Sequence, residues 1–251
     1  MDFTNKYVLV TGASRGIGKA TAMAFAKKGA KVGINYRSND EVAQQTLAEL
    51  AGDGHKLFKK DISQKEETEA LINDFVKEFG RLDVLVNNAG ISIFHEIEKV
   101  DFDHWTNAWE KTFETNLFAV ANLCYWGAKA MMKTGGGHIV SVSSRGAFRG
   151  EPTKPAYGAS KAALNSMSQS LAKKLAPHNI YVGVVAPGFT ETEMAKETLT
   201  PAERENLLRE SPFKRMAQPE EVAHAILFLA SPEAAYSSGT IIDVNGASYL
   251  R

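Results

Sequence analysis

The 251-residue sequence has only one cysteine, no net charge and no long apolar run, and each of these features excludes a class of structure or partner. Its single cysteine, Cys124, excludes an internal disulfide and favours a reducing compartment. Basic and acidic residues balance at 29 each, so no charge excess argues for nucleic acid or an anionic membrane. No apolar run approaches the roughly 20 residues that cross a bilayer, and the first residues lack the apolar stretch of a signal peptide. We therefore expect a cytoplasmic protein with neither nucleic acid nor membrane as its partner.

What is present is an alternation of short apolar runs with helical patterns along the whole chain. Strands are predicted at 7–11, 31–36, 55–60, 83–87, 137–143, 179–186 and 240–244, and helices at 16–28, 40–51, 64–79, 102–133, 155–176 and 218–230. This alternation predicts βαβ units, hence a parallel sheet with helices on both faces. We predict one α/β domain over 1–251, a single doubly wound (Rossmann) sheet of about seven strands with a substrate lid at about 189–216. Ligands of such sheets bind beyond the carboxyl ends of the strands.

A glycine-rich turn, Thr-Gly-Ala-Ser-Arg-Gly-Ile-Gly at 11–18, joins the first predicted strand to the first predicted helix. Gly12 permits a sharp exit from the strand, and Gly16 lets backbone N–H groups approach a pyrophosphate at the helix N-terminus. Gly18 lets the helix pack closely on the strand. The spacing differs from GxGxxG, and a tight turn without a ligand is the alternative. The position between a strand and a helix favours dinucleotide binding.

Four polar residues form a candidate catalytic set. Tyr157 and Lys161 lie four residues apart on a predicted helix, so they share one face. A free tyrosine has a pKa near 10, which a nearby ammonium would lower towards the working range; alone, such a pair is also common on exposed helices. Ser144 ends the fifth predicted strand and could hold a carbonyl oxygen. Asn116 interrupts a largely apolar helix, either as a satisfied buried amide or as the anchor of a proton-relay water.

Together these motifs resemble the short-chain dehydrogenase/reductase family. The likeness extends from Lys6 to Gly246 and is carried by the glycine-rich turn, Asn87-Asn88-Ala89-Gly90, Asn116, Ser144, Tyr157-x3-Lys161 and Pro187-Gly188. Within the family the sequence looks most like the compact reductases that include 3-oxoacyl-(acyl-carrier-protein) reductases, a likeness carried by residues 184–192 and 228–231. The resemblance implies hydride transfer between NADP(H) and a carbonyl or secondary alcohol substrate.

The resemblance also implies roles for individual residues. Tyr157 would be the acid–base, Lys161 would lower its pKa and hold the nicotinamide ribose, and Ser144 would orient the substrate oxygen. Asn116 would support a water that links Lys161 to solvent. The implied cofactor-binding residues are Gly12, Ser14, Arg15, Gly16, Ile17, Gly18, Arg37, Asp61, Ile62, Asn88, Ala89, Gly90, Tyr157, Lys161, Pro187, Gly188, Thr190 and Thr192. Within this set, Asp61 would hydrogen-bond the adenine amino group, with Ile62 as a backbone partner.

The residues after the second predicted strand bear on which cofactor is used. An NAD-preferring protein of this fold typically places there an acid that repels a 2′-phosphate. Here Tyr36 stands at that position and Arg37 follows, while Arg15 could approach the same phosphate from the glycine-rich turn. Alone, each arginine could be a solvated surface charge. Two that converge on one site predict NADP(H).

Some features depart from the family or stay open. Gly183 stands where members commonly have asparagine. Gly-Gly-Gly at 135–137 and Pro-His-Asn at 177–179 replace the basic residues usual in reductases that dock an acyl carrier protein, which puts that substrate in doubt. Arg149 could bind an acidic substrate or be solvated. His95 and His104 form no ligand-spaced cluster, so no metal is predicted.

The segment 91–115 is rich in aromatic residues. Trp105, Trp109 and Phe113 fall four apart, a helical stripe that favours core or subunit contact over a substrate pocket. The family resemblance implies a homotetramer that uses helices at 102–133 and 155–176 and the last strand. Two other functions share parts of this pattern: a nucleotide-sugar epimerase, which is usually longer, and a non-catalytic NADPH-binding regulator, which is expected to lack Tyr157 or Lys161.

Overall fold

The buried apolar runs form seven parallel strands of one sheet. This computed structural model describes residues 1–193, 195 and 201–251. The strands are β1 (Tyr7–Val10), β2 (Lys31–Tyr36), β3 (Lys56–Lys59), β4 (Val84–Asn87), β5 (Gly137–Val142), β6 (Ile180–Pro187) and β7 (Ile241–Val244). Their order is β3-β2-β1-β4-β5-β6-β7, and each neighbouring pair is parallel. The predicted α/β doubly wound sheet is confirmed.

Helices follow most of the strands. They are α1 (Gly16–Lys27), α2 (Asp40–Ala48), α3 (Lys65–Phe79), α4 (Phe102–Phe113), α5 (Ala119–Met132), α6 (Gly146–Arg149), α7 (Pro155–Leu175), α8 (Pro201–Glu210) and α9 (Pro219–Leu229). Short 3-10 turns occupy Ala176–His178 and Pro232–Ser237. Helices α6 and α8 were not predicted from the sequence, because they lie in stretches without a clear helical pattern. Residues 194 and 196–200 of the predicted lid lie outside the described residues.

The single long helix predicted at 102–133 is interrupted by a π-helix at Glu114–Phe118. There the N–H of Ala119 bonds to the carbonyl of Glu114, five residues back instead of four. A π turn holds one residue more than an α turn and is often found at functional sites. Asn116 lies in its middle.

The sheet is covered on both faces because side chains alternate along each strand. Val8 and Val10 of β1 point into one core with Phe25 of α1, whereas Leu9 points into the other. The second core also contains apolar side chains of α3, α5 and α7. These layers fix the carboxyl ends of β1, β4, β5 and β6 side by side. The strand order reverses between β1 and β4, which is where ligands bind in such sheets.

Two absences in the described part of the chain bear on its possible partners. No helix there is long and apolar enough to pass through a bilayer. Nor does any group of three or more histidine, cysteine, aspartate or glutamate side chains come together there as a set of metal ligands.

Candidate active site

The turn between β1 and α1 is built for close approach of backbone. Gly12 and Gly16 have left-handed φ values of 60° and 55°. A Cβ on Gly12 would lie 2.9 Å from the Cα of Ala89, and one on Gly18 would collide with the Gly12 carbonyl and lie 2.5 Å from Nδ2 of Asn88. Helix α1 begins at Gly16 without a side-chain cap. Its first N–H groups have no intrahelical partners, so they can bind an anion at the sheet edge.

Thr11 joins this turn to the segment after β4. Its buried hydroxyl accepts hydrogen bonds from the backbone N–H groups of Asn88 (3.0 Å) and Ala89 (3.1 Å). In return, the Asn88 amide donates to the carbonyls of Thr11 (2.9 Å) and Gly12 (3.1 Å). The side chain of Asn88, expected to line the ribose, therefore braces two loops. Thr11 was part of the motif, but its supporting role was missed because its partners lie 77 and 78 residues away.

The segment after β6 closes over the glycine-rich turn. A Cβ on Gly16 would lie 3.2 Å from Cγ2 of Thr192, so Thr192 stands against the start of α1. The Thr190 hydroxyl donates to the carbonyl of Gly188 (3.3 Å), and the carbonyl of Pro187 accepts from the N–H of Arg145 (2.9 Å). The fold thus brings the predicted nicotinamide-contacting segment to the same edge as the predicted phosphate-binding turn.

An acid of α2 contacts the last residue of β2, which was not predicted from the sequence. The Tyr36 hydroxyl donates to Asp40 at the start of α2 (2.8 Å), and the Lys59 ammonium donates to the same carboxylate (2.7 Å). Asp40 is therefore neutralised by a lysine rather than directed at a ribose. Arg15 and Arg37 are both exposed. On the other side of this region, Asp61 is held by the N–H (3.1 Å) and hydroxyl (2.8 Å) of Ser63.

Tyr157 and Lys161 lie on one face of α7, beside the end of β5. The Lys161 ammonium is buried, donates to the carbonyl of Val142 (2.8 Å) and lies 5.8 Å from the centre of the Tyr157 ring. The Ser144 side chain lies close enough to the Tyr157 hydroxyl to influence its pKa. Ser144 also accepts from the N–H of Gly146 (3.0 Å), which fixes its hydroxyl at the strand end. The three predicted catalytic side chains are thus grouped at one point.

Asn116 is tied to the segment after β4. Its Oδ1 accepts from the N–H of Ile91 (2.9 Å), and its Nδ2 donates to the carbonyl of Ile91 (2.9 Å) and to the Ser160 hydroxyl (3.2 Å). Both N–H groups of the amide are used. A Cβ on Gly90 would lie 3.2 Å from Oδ1 of Asn116 and 3.5 Å from Nζ of Lys161, so the backbone at Gly90 lies close to both side chains.

Comparison with known proteins agrees with this geometry. A sequence profile described as "Enoyl-(Acyl carrier protein) reductase" matches residues 12–247. The chain belongs to the short-chain dehydrogenase/reductase family. It is 38% identical to the 3-oxoacyl-(acyl-carrier-protein) reductases of Vibrio cholerae and Escherichia coli, and each alignment covers 100% of this chain and 100% of the relative. An uncharacterised oxidoreductase of Thermotoga maritima is also 38% identical, over 99% of each chain. The predicted family is confirmed, and the chain is an oxidoreductase of that family.

The ionisation of the central pair in this short-chain dehydrogenase/reductase differs from the prediction. Burial raises the pKa of Tyr157 above its usual value; the Ser144 hydrogen bond acts against this, and the charge of Glu151 adds to it. Burial lowers the pKa of Lys161 to about 8. The ammonium was expected to lower the tyrosine pKa, but desolvation disfavours the charged form of both groups. Without a bound cofactor, Tyr157 is therefore held as a neutral phenol that can donate a proton.

Two arginines and an acid link the segment after β5 to α8, in the predicted lid. The buried Arg145 guanidinium donates to Glu210 of α8 (2.7 Å) and to the Ser248 hydroxyl (2.7 Å). Arg149 donates to the same oxygen of Glu210 (2.8 Å). Arg149, left open between an acidic substrate and solvent, is thus paired with the lid helix.

Proposed function

We propose that this protein is an NADP(H)-dependent reductase that converts a carbonyl group into a secondary alcohol, with Tyr157 as the proton donor. The observation that carries the proposal is the grouping of Tyr157, Ser144 and Lys161 at the carboxyl end of β5, beside the open helix N-terminus of the glycine-rich turn. Reduced nicotinamide supplies the hydride when it is bound.

The chain's own residues prepare the carbonyl oxygen and deliver its proton. The Ser144 hydroxyl, fixed by the Gly146 N–H, and the Tyr157 hydroxyl both donate to the substrate oxygen, which polarises the carbonyl bond. As the carbonyl carbon is reduced, Tyr157 transfers its proton to that oxygen. Lys161, with a pKa of about 8, can return a proton to the phenolate near neutral pH. Asn116 would support the water that links Lys161 to solvent and replenishes its proton.

The residues around the glycine-rich turn fit a dinucleotide. The uncapped N–H groups at the start of α1 suit its pyrophosphate. Gly12 and Gly18 pack so closely on neighbouring residues that a side chain at either position would not fit, which fixes the shape of the turn. The preference for NADP(H) rests on Arg15 and Arg37. Asp40, the acid closest to the end of β2, is neutralised by Lys59 and so repels a 2′-phosphate only weakly.

The substrate class follows from the relatives only in part. The names of the reductases from Vibrio cholerae and Escherichia coli make a 3-oxoacyl thioester the first substrate to test. The glycines at 135–137 and the residues at 177–179 do not supply the basic side chains usual for docking an acyl carrier protein. We therefore favour a small 3-oxo compound over a carrier-bound one. A screen of NADPH oxidation over ketones, 3-oxoesters, sugars and quinones tests this.

The two other functions are less well supported. A nucleotide-sugar epimerase usually has a separate substrate region, whereas this chain is matched from end to end by reductases of the same length. A regulator that only binds NADPH has no need for the buried Lys161 beside Tyr157 and Ser144. Retention of the full catalytic set favours an enzyme.

Replacement of Tyr157 by phenylalanine tests the mechanism. Tyr157→Phe removes only the hydroxyl, so the protein should fold and bind NADPH, as measured by cofactor fluorescence. Turnover should fall roughly 10²–10⁴-fold, the usual contribution of a positioned proton donor. Tyr236→Phe, a change at a fully exposed tyrosine, is the matched control and should behave as the wild type. Near-normal turnover by folded Tyr157→Phe would disprove the mechanism.

A further inference from the structure

His95 is a fully buried histidine outside the catalytic set. It lies in the segment between β4 and α4, at 0% exposure. Its ring packs against two tryptophans of α4, with ring centres 5.3 Å from Trp105 and 6.4 Å from Trp109. The aromatic stripe of α4, predicted to be core or subunit contact, thus supports an imidazole in the interior. A buried polar ring of this kind needs hydrogen-bond partners.

Both ring nitrogens of His95 have backbone partners, and together they define its protonation state. Nδ1 lies 2.8 Å from the carbonyl of Ile93, so it carries the proton and donates. Nε2 accepts from the N–H of Ala156 at 3.2 Å, so it carries none. The imidazole is neutral, with the tautomer assigned from this network. A third bond runs from the His95 N–H to the carbonyl of Thr153 (3.0 Å).

The N–H that His95 accepts belongs to the first turn of the catalytic helix. Helix α7 begins at Pro155, and the residue before it, Lys154, makes no side-chain cap. The first N–H groups of any helix lack intrahelical acceptors, so a side chain that accepts from one of them stabilises the turn. His95 does this from 61 residues away in the sequence. The next residue after Ala156 is Tyr157.

The remaining hydrogen bonds at the start of α7 are few. The N–H of Tyr157 bonds to the carbonyl of Lys154 at 3.0 Å, and that of Gly158 reaches the same carbonyl only at 3.5 Å. The Lys154 ammonium lies 5.5 Å from the Tyr157 ring centre and 5.1 Å from that of Phe94, the residue before His95. The bonds of His95 to Ala156 and Thr153 therefore join the segment after β4 to the start of α7, next to Tyr157.

From this geometry we propose that His95 is a positioning residue that caps the catalytic helix and holds Tyr157 in place for proton transfer. The inference rests on the proposed function, because it assigns His95 a part in the chemistry of Tyr157. Small displacements of a reacting group reduce rates strongly, about 10²-fold for 1 Å. Loss of the cap should thus reduce kcat, while the pyrophosphate site at the start of α1, to which His95 makes no hydrogen bond, keeps its cofactor affinity.

Two amide substitutions separate the cap from the rest of the ring's role. In His95→Gln the side-chain oxygen can occupy the place of Nε2 and still accept from Ala156. In His95→Asn the amide reaches only the place of Nδ1, so it keeps the bond to Ile93 and loses the cap. We expect His95→Asn to lower kcat by roughly 10–100-fold with the Kd for NADPH within about twofold of wild type. His95→Gln should recover most of the lost kcat.

Hydrogen exchange supplies a readout that does not need activity. The amides of residues 156–158 should exchange faster in His95→Asn than in the wild type, with His95→Gln between them. Wild-type kcat and exchange in His95→Asn would overturn the proposal, as would equal impairment of both folded variants. Should His95→Asn fail to fold, the wild-type Ala156 amide decides: protection supports the cap, and exchange at the rate of a free peptide contradicts it.

A parallel Tyr157→Phe arm distinguishes the two proposals. If Tyr157→Phe stays fully active, the proposed mechanism fails, whatever His95 does to the exchange of α7. If Tyr157→Phe is inactive but His95→Asn has wild-type kcat, only the positioning role of His95 fails.

Discussion

Thr11 offers the sharpest test of how the cofactor edge is held together. Its hydroxyl is 1% exposed and accepts from two backbone N–H groups, those of Asn88 and Ala89. Thr11→Val keeps the shape of the side chain but replaces the acceptor with a methyl group. Both N–H groups, which are part-buried, then lose the partner they have now, at the point where the β1 turn meets the segment after β4.

The loss in the free energy of unfolding caused by Thr11→Val follows from these contacts. A buried donor without a partner costs about 1–3 kcal/mol, so two cost about 2–6 kcal/mol. Local relaxation and entry of water reduce this, and we expect a loss of about 2–4 kcal/mol in the free energy of unfolding. For a chain of this size each kcal/mol lowers Tm by about 2–4 °C, which gives a fall of about 5–15 °C. Affinity for NADPH should fall as well, because the Asn88 amide braces the glycine-rich turn.

The assay is thermal unfolding at one fixed protein concentration, with and without NADPH, since the stability of an oligomer depends on concentration. Thr11→Ser is the matched control: it keeps the hydroxyl and loses one methyl group, at a cost of about 1 kcal/mol. Thr11→Val within about 0.5 kcal/mol of the wild type would refute the reasoning, because surface substitutions alone cause that much change.

Three further predictions concern charge and assembly. Arg37→Ala should weaken NADPH binding roughly 10-fold and leave NADH binding nearly unchanged, and added salt should reduce the difference. The control Lys27→Ala, at the far end of α1, should leave the binding of both cofactors unchanged. A higher kcat/KM with NADH than with NADPH in the wild type would contradict this. Hydrogen bonds from Arg215 and a backbone N–H lower the pKa of Glu221 to about 2, so the stability they add is present above about pH 4.5 and is lost as pH falls towards 2. Thermal melts of Glu221→Gln should therefore lie below wild type at pH 7 and converge with it near pH 2; a constant gap would count against the ion pair. Exposed aromatic side chains on the helices of 102–133 support a homotetramer, which sedimentation at micromolar concentration should show, and a monomer there would contradict it.

The elements that could be predicted from the sequence are those that a short stretch of chain determines by itself. β1, the glycine-rich turn and α1 follow from an apolar run, three spaced glycines and a helical pattern that are contiguous. The left-handed φ of Gly12 and Gly16 then agrees with their residue type. The same holds for the Tyr157–Lys161 pair, because a spacing of four on a helix needs no other information.

What could not be predicted depends on contacts between distant parts of the chain. His95 was considered only as a metal ligand, since nothing near it in sequence reveals that it bonds to Ala156. The pairing of Arg145 with Glu210, 65 residues away, likewise needs the fold. The raised pKa of Tyr157 was missed because it comes from burial, which spacing on one helix does not reveal.

The π turn at Glu114–Phe118 has a rotational consequence. Each residue of an α-helix advances about 100° around the axis, so one additional residue leaves α5 out of phase with α4 by about that angle. The inward side of α4 packs on α7, while that of α5 packs on α3. A uniform helix of the same length would direct both halves towards one neighbour. The offset lets one continuous rod pack against two different neighbouring helices, and its pivot is the turn whose Asn116 bonds to Ile91. Deletion of one residue there would turn all of α5 away from α3.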